Sequence, residues 1–382
     1  MIAFEILLFA IGLVMLIKGG DWFVDSASGI ARRFHLPELL IGATVVSIGT
    51  TLPEVMVSAQ GAMAGSGGIA YGNAIGSIIC NTSLIASITI AIKPGKVERK
   101  SLILPVCFFF TVATFYALIA YFLGRFDRWV GIALVCGFVI YMATILLTMK
   151  KGNTPELAET ETHEDEEENA EFSIKALITE AAVSFIGGGF MIYKGGVIAI
   201  IGIVMMAVFA VYAVMALVYA KRGRAMDMLR EIMFLIVGAA VIAGGANLLV
   251  DSGTYIAETL GVPDTVIALT FVALGTSLPE LVTAITSLLK GHGALSLGNI
   301  IGANLFNLVL VSGVSMLISP FPVPSGSVIA GIPASLVLDI PVMLGVMLLM
   351  IVPTLIRGKL ARWQGISLLC IYAAFCTMQF VM

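Results

Sequence analysis

Apolar runs of about 20 residues, the length that crosses the hydrocarbon core of a bilayer, recur along nearly the whole of this 382-residue sequence. In lipid every backbone N–H and C=O must be satisfied within the protein, so only helices or closed barrels can span. Long uninterrupted runs do not fit the alternating pattern of barrel strands. Hydrophobic residues make up 59% of the chain and charged residues 12%, with a mean hydropathy of +1.05. Soluble domains hold about 45–50% apolar residues. The sequence therefore predicts an all-α polytopic membrane protein. Twelve spans can be drawn, at 2–30, 37–64, 69–92, 102–123, 128–149, 174–194, 197–220, 231–257, 263–289, 294–318, 327–353 and 363–381.

The sparse basic residues orient these spans. With the N-terminus outside, the inner connections hold Arg32 and Arg33; Lys93, Lys96, Arg99 and Lys100; Lys150 and Lys151; Lys221, Arg222 and Arg224; Lys290; and Arg357, Lys359 and Arg362. The outer connections hold few cations beyond Arg125, Arg128 and Lys194. Positive charge is retained on the cytoplasmic side, so the expectation is a multi-pass protein of the cell membrane with both termini outside. The net charge of −3 is dominated by one stretch, Glu156 to Glu171, which holds nine of the 24 acids. This reads as a solvated cytoplasmic linker. The N-terminal apolar run lacks a basic leader and continues into a longer helical pattern, so no cleavable signal is expected. Five cysteines without a C-x-x-C pair sit in apolar runs and read as packing residues.

The chain also repeats itself. Adding 226, the offset from Asp25 to Asp251, carries each landmark of the first quarter onto its counterpart without a gap. Pro37 meets Pro263 and Glu38 meets Asp264. Gly49-Thr50 meets Gly275-Thr276, and Leu52-Pro53-Glu54 meets Leu278-Pro279-Glu280. The frame persists through Gly72-Asn73 with Gly298-Asn299, Gly76 with Gly302, Asn81 with Asn307 and Pro94 with Pro320. The copies begin at spans one and eight, so seven crossings separate equivalent points, and an odd number inverts the second copy. Inverted repeats are a recurring plan of secondary transporters, with the ion site near the midplane where the copies meet. The expected organisation is a first half at 1–149 (motif 42–92), the acidic linker at 150–173, an extra hairpin at 174–222, and a second half at 223–382 (motif 268–318). A weaker similarity of Gly131, Ile132, Phe138, Tyr141, Leu146 and Lys150 to Gly202, Ile203, Phe209, Tyr212, Leu217 and Lys221 suggests that the hairpin is itself a copy.

Each copy places a carboxylate, Glu54 or Glu280, inside an apolar segment. A lone ionised carboxylate there costs several kcal/mol and calls for a partner, and two related by symmetry suggest a cation between them. Pro53 and Pro279 lack the amide hydrogen that the carbonyls of Gly49 and Gly275 would accept, which frees those carbonyls and bends the chain. Neighbouring carbonyls, those of Thr50 and Thr276 in particular, can turn inward with them. Carboxylates, carbonyls and hydroxyls are hard oxygen donors suited to calcium and sodium. The three histidines, His35, His163 and His292, fall in predicted loops, so a zinc or copper carrier is not expected. Asn81 and Asn307 offer amide oxygens to the site or, alternatively, only bridge helices by hydrogen bonds. Asp25 and Asp251 read as entrance or capping residues.

The two G-[ST]-[ST]-L-P-E motifs, each followed by G-N-x-I-G, resemble the alpha repeats of the calcium/cation antiporter superfamily, and within it the bacterial sodium/calcium exchangers. The resemblance implies calcium bound by Glu54 and Glu280 with the carbonyls of Thr50 and Thr276. It implies sodium held by the same glutamates with Ser47, Thr51, Ser77, Ala273 and Ser277, and with Asn81 and Asn307 lining the centre. The chain then works as a secondary active antiporter exchanging sodium for calcium by alternating access, without a cofactor or catalytic residues, its partners being the two ions and the bilayer. Two substitutions depart from the pattern. Ala303 lacks a hydroxyl that some relatives carry, and Asn307 replaces the Asp of potassium-dependent relatives. A calcium/proton antiporter is the nearest alternative. Such relatives carry an acid after the Gly-Asn pair, where this chain has Ala74-Ile75-Gly76 and Ile300-Ile301-Gly302. A potassium-dependent exchanger, a channel and an intramembrane protease with paired acids are the others.

Overall fold

The computed structural model describes residues 2–33, 37–63, 65, 67–150, 189, 203, 206, 225–259, 277–325 and 328–381. The chain divides into two compact units, Met1–Leu36 with Lys151–Gly275, and Pro37–Lys150 with Thr276–Met382. The predicted spans at 174–194 and 197–220, and the acidic linker, lie outside the described residues apart from isolated positions.

The first unit is built on two long helices, Ile2–Arg33 and Ala225–Thr259. They run antiparallel, because Gly12 faces Gly245, Gly19 faces Ile242 and Gly29 faces Glu231. These are equivalent helices of the two repeats, so their opposed directions are the inversion made visible. The seam obeys the repeat frame. Gly12 and Gly19 have Gly238 and Gly245 as counterparts, and a methyl group on Gly238 would sit 2.8 Å from the Phe23 amide nitrogen and 3.0 Å from the Gly19 carbonyl oxygen. Between helices in lipid, where hydrophobic driving force is weak, such backbone-to-backbone approach supplies much of the packing. Arg33 closes one end on Glu231 at 3.3 Å.

In the second unit, the second span comprises helix Glu38–Ile41, a π-helical turn at Gly42–Val46 and helix Ser47–Met63. The segments Glu38–Leu52 and Val57–Met63 are inclined by 51°, and the bend falls at Pro53, as its missing amide predicts. The third span runs Gly67–Cys80, widens into a π turn at Asn81–Ala86 and ends at Ile92. Its counterpart repeats this with Gly293–Phe306, a π turn at Asn307–Val311 and helix Ser312–Ile318. Both π turns start at the repeated asparagine, so the duplication extends to a local backbone irregularity of the kind that recurs at functional sites. Of the predicted 263–289 span, the described part is the helix Leu278–Leu289 with Pro279 in its first turn, a position proline favours.

Helices Arg99–Leu123, Arg128–Lys150, Ile340–Arg357 and Arg362–Val381 complete the unit. The span expected at 327–353 is displaced. Val328–Ile329 and Ile332–Pro333 form a two-stranded hairpin, and helical structure starts only at the π turn Ser335–Asp339. Ala330 and Gly331 occupy positive φ at 51° and 83°, the conformation a tight hairpin turn demands. The segment is apolar enough to pass as the start of a span, which hid the turn.

The described connections of this unit fall into two sets. At one end Val97 N–H donates to the Gly358 carbonyl and Leu360 N–H to that of Gly95, and His292 Nδ1 lies 2.7 Å from Glu38 Oε1. At the other, Arg125–Phe126 pairs with Phe321–Pro322 and Gly67 abuts Phe321. All five cysteines are free; Cys80 is buried, while Cys107, Cys136 and Cys370 are exposed on the outer surface of the helices.

Gly238→Ile tests the seam. Overpacking of this kind costs about 1–3 kcal/mol, so the unfolding midpoint in detergent should drop measurably. The same substitution at Gly345, which has open space around it, should leave the midpoint close to that of the wild type.

Candidate cation-binding site

Glu54 and Glu280 sit at equivalent points of the two repeats, on the helices Ser47–Met63 and Leu278–Leu289, and both are 0% exposed. Their carboxylates lie within interaction distance of one another. None of the four carboxylate oxygens has a hydrogen-bond partner of proper geometry among the described residues. The hydroxyls of Thr50 and Thr51 flank Glu280, and the Cys80 thiol lies beside Ser277 and Glu280. Further unpartnered polar atoms lie on or beside these helices and on the π turns packed against them: Thr51 Oγ1, Ser277 Oγ, and both amide atoms of Asn81 and of Asn307. All four of these residues are buried. Almost every buried polar group in a folded protein finds a partner, so this concentration marks a place built for something that brings its own positive charge.

The local sequence explains how these groups come together. Gly298 and Gly302 on the Gly293–Phe306 helix let it press onto the second span, where side chains in their place would overlap Leu39 and Ser47. Ser47 donates to the carbonyls of Gly42 at 2.6 Å and Asn299 at 2.9 Å. Those bonds use its proton and leave its lone pairs available. Ser312 likewise bonds the Asn307 carbonyl at 3.0 Å, so in each repeat a serine five residues on satisfies a π-turn carbonyl. Asn73 donates to the Glu54 carbonyl at 3.1 Å and to Ser58 at 2.8 Å, which ties the bent helix to the third span.

Nine of the predicted donors are described, and all nine lie buried in this unit: Ser47, Thr50, Thr51, Glu54, Ser77, Asn81, Ser277, Glu280 and Asn307. Ala303 is buried in the Gly293–Phe306 helix. Thr276 and Ala273 lie outside the described residues. The alternative that Asn81 and Asn307 serve only to bridge helices finds no bond to support it among the described residues. Sequence reasoning missed two neighbours. Asn299 had been read only as part of a glycine-asparagine pair, yet its Oδ1 accepts from the Thr50 hydroxyl at 3.2 Å. The sequence reads Cys80 as a packing residue, whereas its thiol lies beside Ser277 and Glu280. Its position directly before Asn81, at the start of the π turn, was the available signal.

The sodium/calcium exchanger protein family matches residues 4–147 and 231–381. The chain belongs to this family. The stretch the match leaves out, 148–230, contains the acidic segment and the hairpin predicted at 174–222. The sodium/calcium exchanger MaX1 of Methanosarcina acetivorans is 31% identical over 100% of this chain and 99% of its own length. The inner membrane protein YrbG of Escherichia coli is 29% identical over 82% of this chain and 79% of its own. Among solved structures, the sodium-calcium exchanger NCX_Mj soaked with 10 mM Na+ and zero Ca2+ superposes with a TM-score of 0.69 at 28% identity, covering 98% of each chain. The exchanger fold, all-α and polytopic with inverted repeats, is thereby that of this chain.

With Thr50 among the cation's ligands, as the resemblance implies, Asn299→Ala should lower calcium affinity about tenfold, the usual loss when a residue that orients a metal ligand is removed. Calcium titration of the purified protein by calorimetry reads the effect. The glutamates themselves are untouched, so binding should weaken without disappearing.

Proposed function

We propose that this chain exchanges sodium for calcium across the cell membrane by alternating access, through a site centred on Glu54 and Glu280. The observation that carries the reading is the pair of symmetry-related, fully buried carboxylates with four unpartnered oxygens. Membership of the sodium/calcium exchanger family supports it.

The ligand set follows from the donors. Calcium takes six to eight oxygens in flexible geometry. Both carboxylates, backbone carbonyls at Thr50 and Thr276, and neutral side-chain oxygens supply that number. Sodium carries half the charge, so more than one ion is needed to neutralise the same pair. Ser47, Thr51, Ser77 and Ser277 provide hydroxyls around the glutamates, Ala273 a carbonyl, and Asn81 and Asn307 amide oxygens at the centre. The chain moves ions and transforms no substrate.

Exchange follows from the electrostatics. Two bare carboxylates in a water-poor interior carry a desolvation penalty of several kcal/mol each, which a bound cation offsets. An empty site is therefore disfavoured in the closed form that must form while access switches sides. Calcium or sodium, competing for the same oxygens, lowers that barrier. Inversion of the repeats gives the site two related routes, one to each face. Inward sodium flow then drives calcium outward.

Calcium-45 uptake into sodium-loaded proteoliposomes diluted into sodium-free buffer tests this. The wild type should accumulate calcium, and choline-loaded vesicles should not. Glu54→Gln and Glu280→Gln should each reduce uptake about 100-fold, the scale expected for loss of one buried charged partner. Uptake driven equally by a proton gradient, or surviving both substitutions, overturns the reading. Orientation is tested separately: Lys96→Cys should react with an impermeant thiol reagent from the cytoplasmic side and Arg125→Cys from the outside.

A further inference from the structure

At the end of the second unit opposite the paired strands Arg125–Phe126 and Phe321–Pro322, two connections are fastened into one surface. Lys96 and Lys359 face each other as partners of an antiparallel bridge, and backbone bonds of 3.0 Å from Val97 to Gly358 and 2.8 Å from Leu360 to Gly95 hold it on both sides. Around the bridge stand Lys93, Arg99, Lys100, Arg357 and Arg362, and all seven cations are exposed. Glu98 is the one acid in these two connections, and it accepts from the Ser101 hydroxyl at 2.7 Å.

Two features separate this surface from an ordinary basic loop. Like charges directly opposite on paired strands are destabilising, yet Lys96 and Lys359 are held in that arrangement by the backbone. None of Lys93, Lys96, Lys100 and Lys359 has a salt-bridge partner among the described residues. The arginines are also fixed: Arg99 donates to the Ile356 carbonyl at 2.7 Å and Arg362 to that of Ala91 at 2.8 Å, capping two helix C-termini. The second feature is depth. Ile92 and Ile356, 64% and 70% exposed, project outward within a turn of the cations. Trp363, 42% exposed, carries the Arg357 guanidinium 5.7 Å from its ring centre. Exposed aliphatics followed by an indole and then cations mark the passage from hydrocarbon to headgroups.

We infer that the platform formed by Lys93, Lys96, Lys100 and Lys359 with Arg357 binds the headgroup phosphate of an anionic phospholipid in the adjoining leaflet, with Lys96 and Lys359 sharing it. The lipid relieves the like-charge pair and clamps the junction between the third, fourth, eleventh and twelfth spans. The third span carries Ser77 and Asn81.

The test uses the full chain in nanodiscs of phosphatidylcholine with increasing phosphatidylglycerol. A Trp22→Phe, Trp129→Phe background leaves Trp363 as the single fluorophore, and quenching by brominated phosphatidylglycerol is compared with quenching by brominated phosphatidylcholine. Preferential quenching by the anionic lipid is expected. Each lysine near a charged membrane surface contributes about fivefold, so Lys96→Gln with Lys359→Gln should erase most of the preference and leave protein yield and elution unchanged. Equal quenching by both lipids, or a preference that survives the double substitution, overturns the inference. So does loss of the preference to millimolar inorganic phosphate at constant ionic strength, which identifies free phosphate as the ligand. A preference seen only after removal of 156–171 also overturns it, identifying the acidic segment as the occupant.

Discussion

Two carboxylates facing one another in a membrane interior set the terms for the rest of the molecule. Each costs several kcal/mol to bury as an ion, and their mutual repulsion adds to that. The surroundings supply oxygens and no cationic side chain, so nothing in the described protein cancels the charge. The Thr50 and Thr51 hydroxyls flank Glu280, and buried serines and asparagines of the adjoining elements offer further oxygens. Ser47 spends its proton on the carbonyls of Gly42 and Asn299, which leaves its lone pairs free. The fold holds this arrangement together without relieving it, and relief comes from the cargo.

Holding such a centre requires rigidity where ordinary helix packing would be too loose. Glycine supplies it, through crossings close enough that Gly298 and Gly302 leave no room for a side chain. The π turns at Asn81 and Asn307 supply the complementary freedom. An added residue per turn rotates the following stretch and loosens a carbonyl, so the asparagine is presented at the break in hydrogen bonding. That both copies break at the same position ties this irregularity to the repeated function, since packing faults peculiar to one helix would not recur in register.

Much of this was legible in the sequence because duplication supplies an internal comparison. Glu54 with Glu280, and Asn81 with Asn307, stand out once the frame is found, and Pro53 forecasts the bend observed at 51°. The glycine seam between the first and eighth spans obeys the same frame. Features lacking a repeat partner were hidden. The hairpin at 328–333 is apolar, like the membrane helices around it. The bond between Thr50 and Asn299 joins residues 249 apart in sequence, and helical periodicity says nothing about which distant face a side chain meets.

The inverted design also bears on where the basic residues fall. Equivalent connections of the two copies lie at opposite ends, so duplication alone would have placed the same charges on both sides. The sequence departs from its own symmetry at those points, while Glu54 with Glu280, Thr50 with Thr276 and Asn81 with Asn307 keep it. Arg32 and Arg33 have Glu258 and Thr259 as counterparts, and Lys290 faces Ala64 in the frame. Those central pairs keep their symmetry because an ion must meet matching charge from either face, whereas the connections lose it because the two faces of a membrane differ.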